Sequence, residues 1–246
     1  RQRNMKQEIE EIVKDLCSPE GEFPTNITPW QQVARQHDLK LEWMNTDDFR
    51  TPSLAFEKLE ALLQKGLRMM TVSAVQFQTG LRLPVEDIGK LCHKYNCLLF
   101  VDAIQCVGAT PIDLTNIDFL SAGGHKWLMS VEGSGILYAA EHTHQFLSPN
   151  TSGWLSHENG LQFLFEGAGH LRYDRPLISN IQFVKAGVYN AIGLVALEQS
   201  IDILQQLGVQ NIFNHCNAYF DQIEPQLPHA TVVYDYPDWG AALARI

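Results

Sequence analysis

The sequence predicts an α/β protein whose mostly parallel sheet is covered by helices on both faces. Three observations point there. Residues 69–77 (MMTVSAVQF) and 97–101 (CLLFV) are near-continuous apolar runs, the pattern of strands buried on both sides. Segments of helical periodicity alternate with them, as in strand–helix–strand units. Gly66, Gly80, Pro84 and Gly208 stand at the joins, where such residues start and stop elements.

Ile9, Ile12, Val13 and Leu16 share one helical face and predict a helix over residues 5–16. Leu54, Leu59, Leu62 and Leu63 mark a second helix, ended near Gly66. The strand at 69–77 follows. Pro84 then opens a helix over PVEDIGKLCHKY, with Glu86 and Asp87 in its first turn, where the helix dipole favours acids. The strand at 97–101 comes next, then short strands at 118–121 and 135–140. A long apolar helix, AIGLVALEQSIDILQQL, lies within 188–207 and Gly208 stops it. Another helix is expected over 211–227. At SPEGEFPTNITPW (18–30) the first helix runs straight into a loop, where a parallel sheet would normally place a strand. The expectation is that segments are missing near residues 17–20. Residues 1–205 are read as one large α/β domain and 206–246 as the start of a smaller C-terminal α/β domain.

Acidic residues outnumber basic ones, 28 to 18 in 246, for a formal net charge of -10. That balance argues against nucleic acid as the main partner, since phosphate backbones require clustered Lys and Arg. No apolar run has the length of a membrane span. The chain opens on the charged stretch RQRNMKQEIEEIVKDL, which is no secretory pattern. Cys17, Cys92, Cys97, Cys106 and Cys216 are odd in number and form no CxxC pair. Scattered buried thiols fit a reducing, cytoplasmic setting better than a disulfide framework.

The chemistry concentrates between residues 98 and 138. Asp102 ends the apolar run LLFV, and Lys126 follows the next short run in the sequence GGHKWL. An acid and a lysine therefore stand at the carboxyl ends of neighbouring strands, the edge where open α/β sheets bind ligands. An apolar, tightly turning setting lowers a lysine's pKa and yields the free amine that imine formation requires. An imine-forming lysine and an acid facing a pyridinium nitrogen are what pyridoxal 5'-phosphate asks of a protein. The plainer readings are a solvated lysine and an aspartate capping its turn. Gln105 can donate to a phenolic oxygen if Asp102 faces the ring. His125 is either a phosphate contact or a support for the lysine loop. His142 and His144 lack Cys or carboxylate partners at metal spacing and read as exposed. Gly133-Ser134-Gly135 is too short to signal much, and Trp154 is equally a pocket wall or core. No GxxxxGK[ST] or GxGxxG occurs, which speaks against a P-loop or dinucleotide fold.

Taken together, VDAIQ, GGHKWL, EFPTNITPW, VSAVQFQTG and GVYNAIGLVALEQSIDIL resemble the class V aminotransferases, fold-type I pyridoxal-phosphate enzymes that include cysteine desulfurases and isopenicillin-N-epimerase-like proteins. The resemblance spans about Gly21 to Leu227. It implies the large domain of that fold, an imine on Lys126, Asp102 on the pyridine nitrogen, Gln105 on the phenolic oxygen and His125 beside the phosphate. It also implies an amino-acid substrate and a homodimer with active sites at the interface. Cysteine desulfurases carry a ring-stacking histidine after a Glu; here Phe23 follows Glu22 and can stack, but not act as an acid or base. Ala74, Gly123 and Val188 stand where relatives have Asn, Ser and Thr.

The expected function is a pyridoxal-phosphate enzyme acting on an amino acid, by transamination, racemization or lyase chemistry ahead of cysteine desulfurization. A catalytically inactive binding or scaffold protein of the same fold is the reading from another class. A cofactor-free lysine aldolase is disfavoured by the pairing of Asp102 with Lys126.

Overall fold

The computed structural model describes residues 15–226, apart from 168 and 170. In chain order the elements are β1 (Asp15–Glu20), α1 (Thr28–His37), β2 (Lys40–Asn45), α2 (Pro52–Gln64), β3 (Met69–Ser73), α3 (Val85–Lys94), β4 (Leu98–Asp102), β5 (Phe119–Gly123) and β6 (Gly135–Ala139). After a single helical turn at Phe163–Glu166, two longer helices follow: α4 (Ala191–Leu207) and α5 (Val209–Ile223). The described residues form a six-stranded sheet in the order β2-β1-β3-β4-β5-β6. Neighbours are parallel except β6, which runs antiparallel to β5. The expected α/β architecture, a mostly parallel sheet flanked by helices, is what the chain forms.

The sheet and its helices follow from residue pattern. Met70 and Val72 of β3, Leu99 and Val101 of β4 and Leu120 of β5 are buried. They pack with Ala55, Leu59 and Leu63 of α2 and with Val85, Ile88 and Cys92 of α3. The i, i+3, i+4 spacing along both helices turns these residues to the sheet. On the same face, Leu197 and Leu204 of α4 pack with Ala122 and Leu128. The opposite face carries Phe100, whose ring meets Trp30 of α1 edge-on at 5.2 Å. Helices thus cover both faces.

Four elements differ from the sequence reading. Residues 5–14 of the first expected helix lie outside the described residues, but Asp15 and Leu16 belong to β1. That strand runs parallel to β2 from Asp15↔Lys40 to Glu20↔Asn45 and meets β3 at Leu16↔Met69 and Cys17↔Met70. The segment before EFPTN, DLCSPE, is therefore a strand. Sheet pairing overrides a local helical pattern here, a common outcome for short segments. Pro19 cannot donate to a ladder, and it stands beyond the two pairs with β3. The helix α1 and the edge strand β2 were not anticipated. The expected strand at 69–77 stops at Ser73, and Val75 then makes a single bridge to Arg82.

Candidate active site

Strand order reverses between β1 and β3. The chain leaves β1, passes through α1 to β2 on one side, and returns through α2 to β3 on the other. The crevice beyond the carboxyl ends of strands at such a switch point is the usual ligand site of an open α/β sheet. Here it is built from the turn after β1. Gly21 has a positive φ of 87°, a conformation open to glycine, and it turns the chain back over the sheet. Glu22 is buried. Its Oε1 accepts from the Ser73 N–H at 2.8 Å, and its Oε2 accepts from Asn26 Nδ2 at 3.1 Å and from the Ser73 hydroxyl. Thr71 Oγ1 donates to Asn26 Oδ1 at 3.1 Å. Gln76 fastens the same turn from the other side, donating to the Gly21 carbonyl at 2.7 Å. These bonds hold Phe23 at the mouth of the crevice, half-exposed, with its ring edge-on to Phe77 at 5.2 Å.

Asp102 ends β4 in register with Ser73 on β3 and Ser121 on β5. Residues in register on parallel strands point to one face, so Asp102 faces the Glu22 turn. Its Oδ1 accepts from the Ile104 N–H at 3.0 Å. Burial pushes the Asp102 carboxyl above its ordinary range; the Ile104 hydrogen bond opposes this, the charge of Glu22 adds to it, and the charge of Lys126 opposes it. A carboxylate so placed gains most from a cationic partner.

Lys126 is carried by the loop joining β5 to β6. The Gly124 N–H donates to the Ser134 carbonyl and the Ser130 N–H to the Gly124 carbonyl, both at 2.8 Å. Helix α4 braces the far side: the Ser200 hydroxyl donates to the Met129 carbonyl at 2.9 Å, and the Ser130 hydroxyl to the Gly193 carbonyl at 3.3 Å. Lys126 is half-buried, and its Nζ lies 5.9 Å from the centre of the Phe23 ring. The lysine, the phenylalanine and the aspartate thus converge on one space at the sheet edge.

The other expected site residues fall around this space with less definition. Gln105 lies half-buried in the turn after β4. His125 is exposed, and its ring stacks beside Gly123: a Cβ there would come within 3.0 Å of both His125 Cε1 and Ile104 Cδ1. A serine at this position would therefore press on both side chains. Val188 is exposed. Trp154 meets Phe163 edge-on at 5.6 Å. His142 and His144 read as exposed from sequence, but His144 is half-buried. His142 Nε2 donates to Asp118 Oδ1 at 2.7 Å. Glu22, Asn26 and Ser73 were missed as site residues. The one local signal was a Glu and an Asn four residues apart in a Pro-containing turn.

Residues 15–236 match the family model described as Aminotransferase class-V. The chain is 29% identical over 201 residues to a probable cysteine desulfurase of Chlamydia muridarum, covering 81% of this chain and 47% of that protein. The apo cysteine desulfurase of Thermococcus onnurineus NA1 shares the fold with a TM-score of 0.75 at 24% identity, over 89% of this chain and 52% of that one. C-DES, solved with glycine covalently linked to its PLP cofactor, gives a TM-score of 0.73 at 19% identity, over 88% and 57%. The chain thus spans about half the length of the proteins it matches. With a family match from the first described strand to beyond the last described helix, and with the same sheet and helix arrangement, the chain belongs to the class V aminotransferase family.

Proposed function

We propose that the protein is a pyridoxal 5'-phosphate-dependent enzyme acting on an amino acid. The observation that carries this reading is the convergence of Asp102, Lys126 and Phe23 at the sheet edge. The residues fit the group. A carboxylate raised by burial suits a protonated pyridine nitrogen, an exposed phenyl face suits a flat ring, and a half-buried amine suits an aldehyde. In this reading Lys126 holds the cofactor and later moves the proton at the substrate's α-carbon, while Asp102 keeps the ring nitrogen protonated. Phe23 covers one ring face and excludes water from it. Gln105 and His125 flank the ring, on its phenolic oxygen and its phosphate. When bound, the cofactor supplies an electron sink for the carbanion at the α-carbon.

Cysteine desulfurization is the second reading. It is favoured by the printed names of relatives and like-folded proteins. Phe23 weighs against it, because the stacked residue here offers no ring nitrogen to move a proton. Transamination, racemization and lyase chemistry need only Lys126 for that step.

The same reading divides the chain at 205/206, close to the break between α4 and α5 at Gly208. It also makes the protein a homodimer. The exposed apolar side chains Phe165, Tyr173, Val188 and Ile192 support a covered face. The buried thiols of Cys97 and Cys106 support a reducing, cytoplasmic setting. No helix among the described residues is long and apolar enough to cross a membrane.

A visible spectrum of the full-length protein tests the reading. The expected result is a yellow band after incubation with pyridoxal 5'-phosphate, bleached by borohydride and absent in Lys126→Ala. A native protein that stays colourless overturns it in favour of a non-catalytic binding role.

A further inference from the structure

Glu22 is a buried acid for which the chemistry above has no use. Its carboxylate is satisfied by neutral donors, the Ser73 N–H, the Ser73 hydroxyl and Asn26 Nδ2. No lysine, arginine or histidine pairs with it among the described residues. Ser73 stands in register with Asp102 on the adjoining strand. Adjacent strands lie about 4.8 Å apart, so the Ser73 hydroxyl that holds Glu22 and the Asp102 side chain share one sheet face. Two carboxylates on one face attract a nearby cation more strongly than either does alone.

Resting on the cofactor reading above, we propose that Glu22 is a positioning residue that makes the site selective for a cationic ring. It ties the Phe23 turn to β3 and adds a second fixed negative charge behind Asp102. A protonated ring nitrogen facing Asp102 relieves both acids, whereas a neutral ring leaves both charges unmatched. The rising effect of Glu22 on the Asp102 carboxyl agrees with this arrangement. If Glu22 were merely a staple for the turn, its charge would be irrelevant and a neutral hydrogen-bonding side chain would serve equally well.

The test uses the full-length protein stripped of cofactor. Affinities are measured by equilibrium dialysis for pyridoxal 5'-phosphate and for its carbocyclic analogue, in which C–H replaces the ring nitrogen. The native protein is expected to prefer the nitrogen ring. Glu22→Gln should lower that preference several-fold. Glu22→Asp, which keeps the charge, should retain most of it. Should circular dichroism show Glu22→Gln unfolded, Glu22→Met combined with Ser73→Ala replaces the contact with apolar groups and is judged by the same ratio. An unchanged ratio in a folded charge-free variant overturns the proposal. Failure of the native protein to bind either compound instead overturns the cofactor reading.

Discussion

The Lys126 ammonium lies 5.9 Å from the centre of the Phe23 ring, and that ring rests edge-on against Phe77. One residue from the turn after β1 and one from the loop after β5 are thereby brought together, although 103 positions separate Phe23 from Lys126 in the sequence. A cation over an aromatic face contributes roughly 0.5–1 kcal/mol at an exposed site. Phe23→Leu should therefore cost about 1 kcal/mol of stability, read as a small fall in Tm. It should weaken retention of pyridoxal 5'-phosphate several-fold on gel filtration, since an aliphatic side chain cannot stack on a ring. Unchanged retention would show that Phe23 does not cover the cofactor.

Asp102 makes stability depend on pH in the cofactor-free protein. Burial raises its carboxyl in the folded state, so the folded protein holds that proton more tightly than the unfolded chain does. The contribution is fully present below the ordinary carboxylate range and is lost as pH rises through the raised value. Asp102→Asn should remove this part of the decline in a series of denaturant titrations. A variant whose stability falls with pH as steeply as the native protein's would assign the decline to other groups.

Asp118 is a structural acid on the sheet beyond the site. It is fully buried, accepting from the Leu99 N–H at 2.6 Å, from His142 Nε2 at 2.7 Å and from His93 Nε2 at 3.0 Å. It joins α3, β4 and the turn after β6. Asp118→Ala leaves the Leu99 N–H without its acceptor in the interior and releases the more exposed His93 and His142 rings to water, and about 1–3 kcal/mol of stability should be lost. Chemical denaturation checks this. A loss under about 1 kcal/mol would mean that water replaces the carboxylate freely.

Cys106 lines a cavity of about 230 Å³ with Arg82, Glu86 and Ile112. Burial pushes its thiol up to about 11, so it remains protonated and inert near neutral pH. In the native protein iodoacetamide at about pH 8 should leave Cys106 unlabelled, and unfolding should expose it. Rapid native labelling, read by peptide mass mapping, would contradict this burial.

Gly108 ties the Asp102 turn to the lysine loop. Its φ is +100°, and a Cβ there would lie 2.5 Å from the Trp127 carbonyl oxygen. Backbone cannot yield cheaply at that distance. Gly108→Ala should lose about 2–3 kcal/mol. It should also displace Lys126, seen as weaker formation of the borohydride-reducible yellow band. Native-like stability together with a native band would show that the loop adapts.

Residue pattern alone determined the α/β class, the helices α2 to α5, the strands β3 to β6 and the placement of Asp102 and Lys126 near the carboxyl ends of β4 and β5. Each of these is written in local periodicity, in glycine and proline punctuation, or in a short motif whose residues share one strand end. Tertiary structure decided what local pattern does not encode. DLCSPE is a strand because β2 and β3 flank it, whatever its own preference. Glu22 belongs to the site because the turn after β1 folds its carboxylate onto Ser73, 51 residues away. Trp154 meets Phe163 edge-on, a contact set by how the segments fold together. A hydrogen bond or ring contact between distant segments depends on where the sheet brings them, and strand order is not a property of any single stretch of chain.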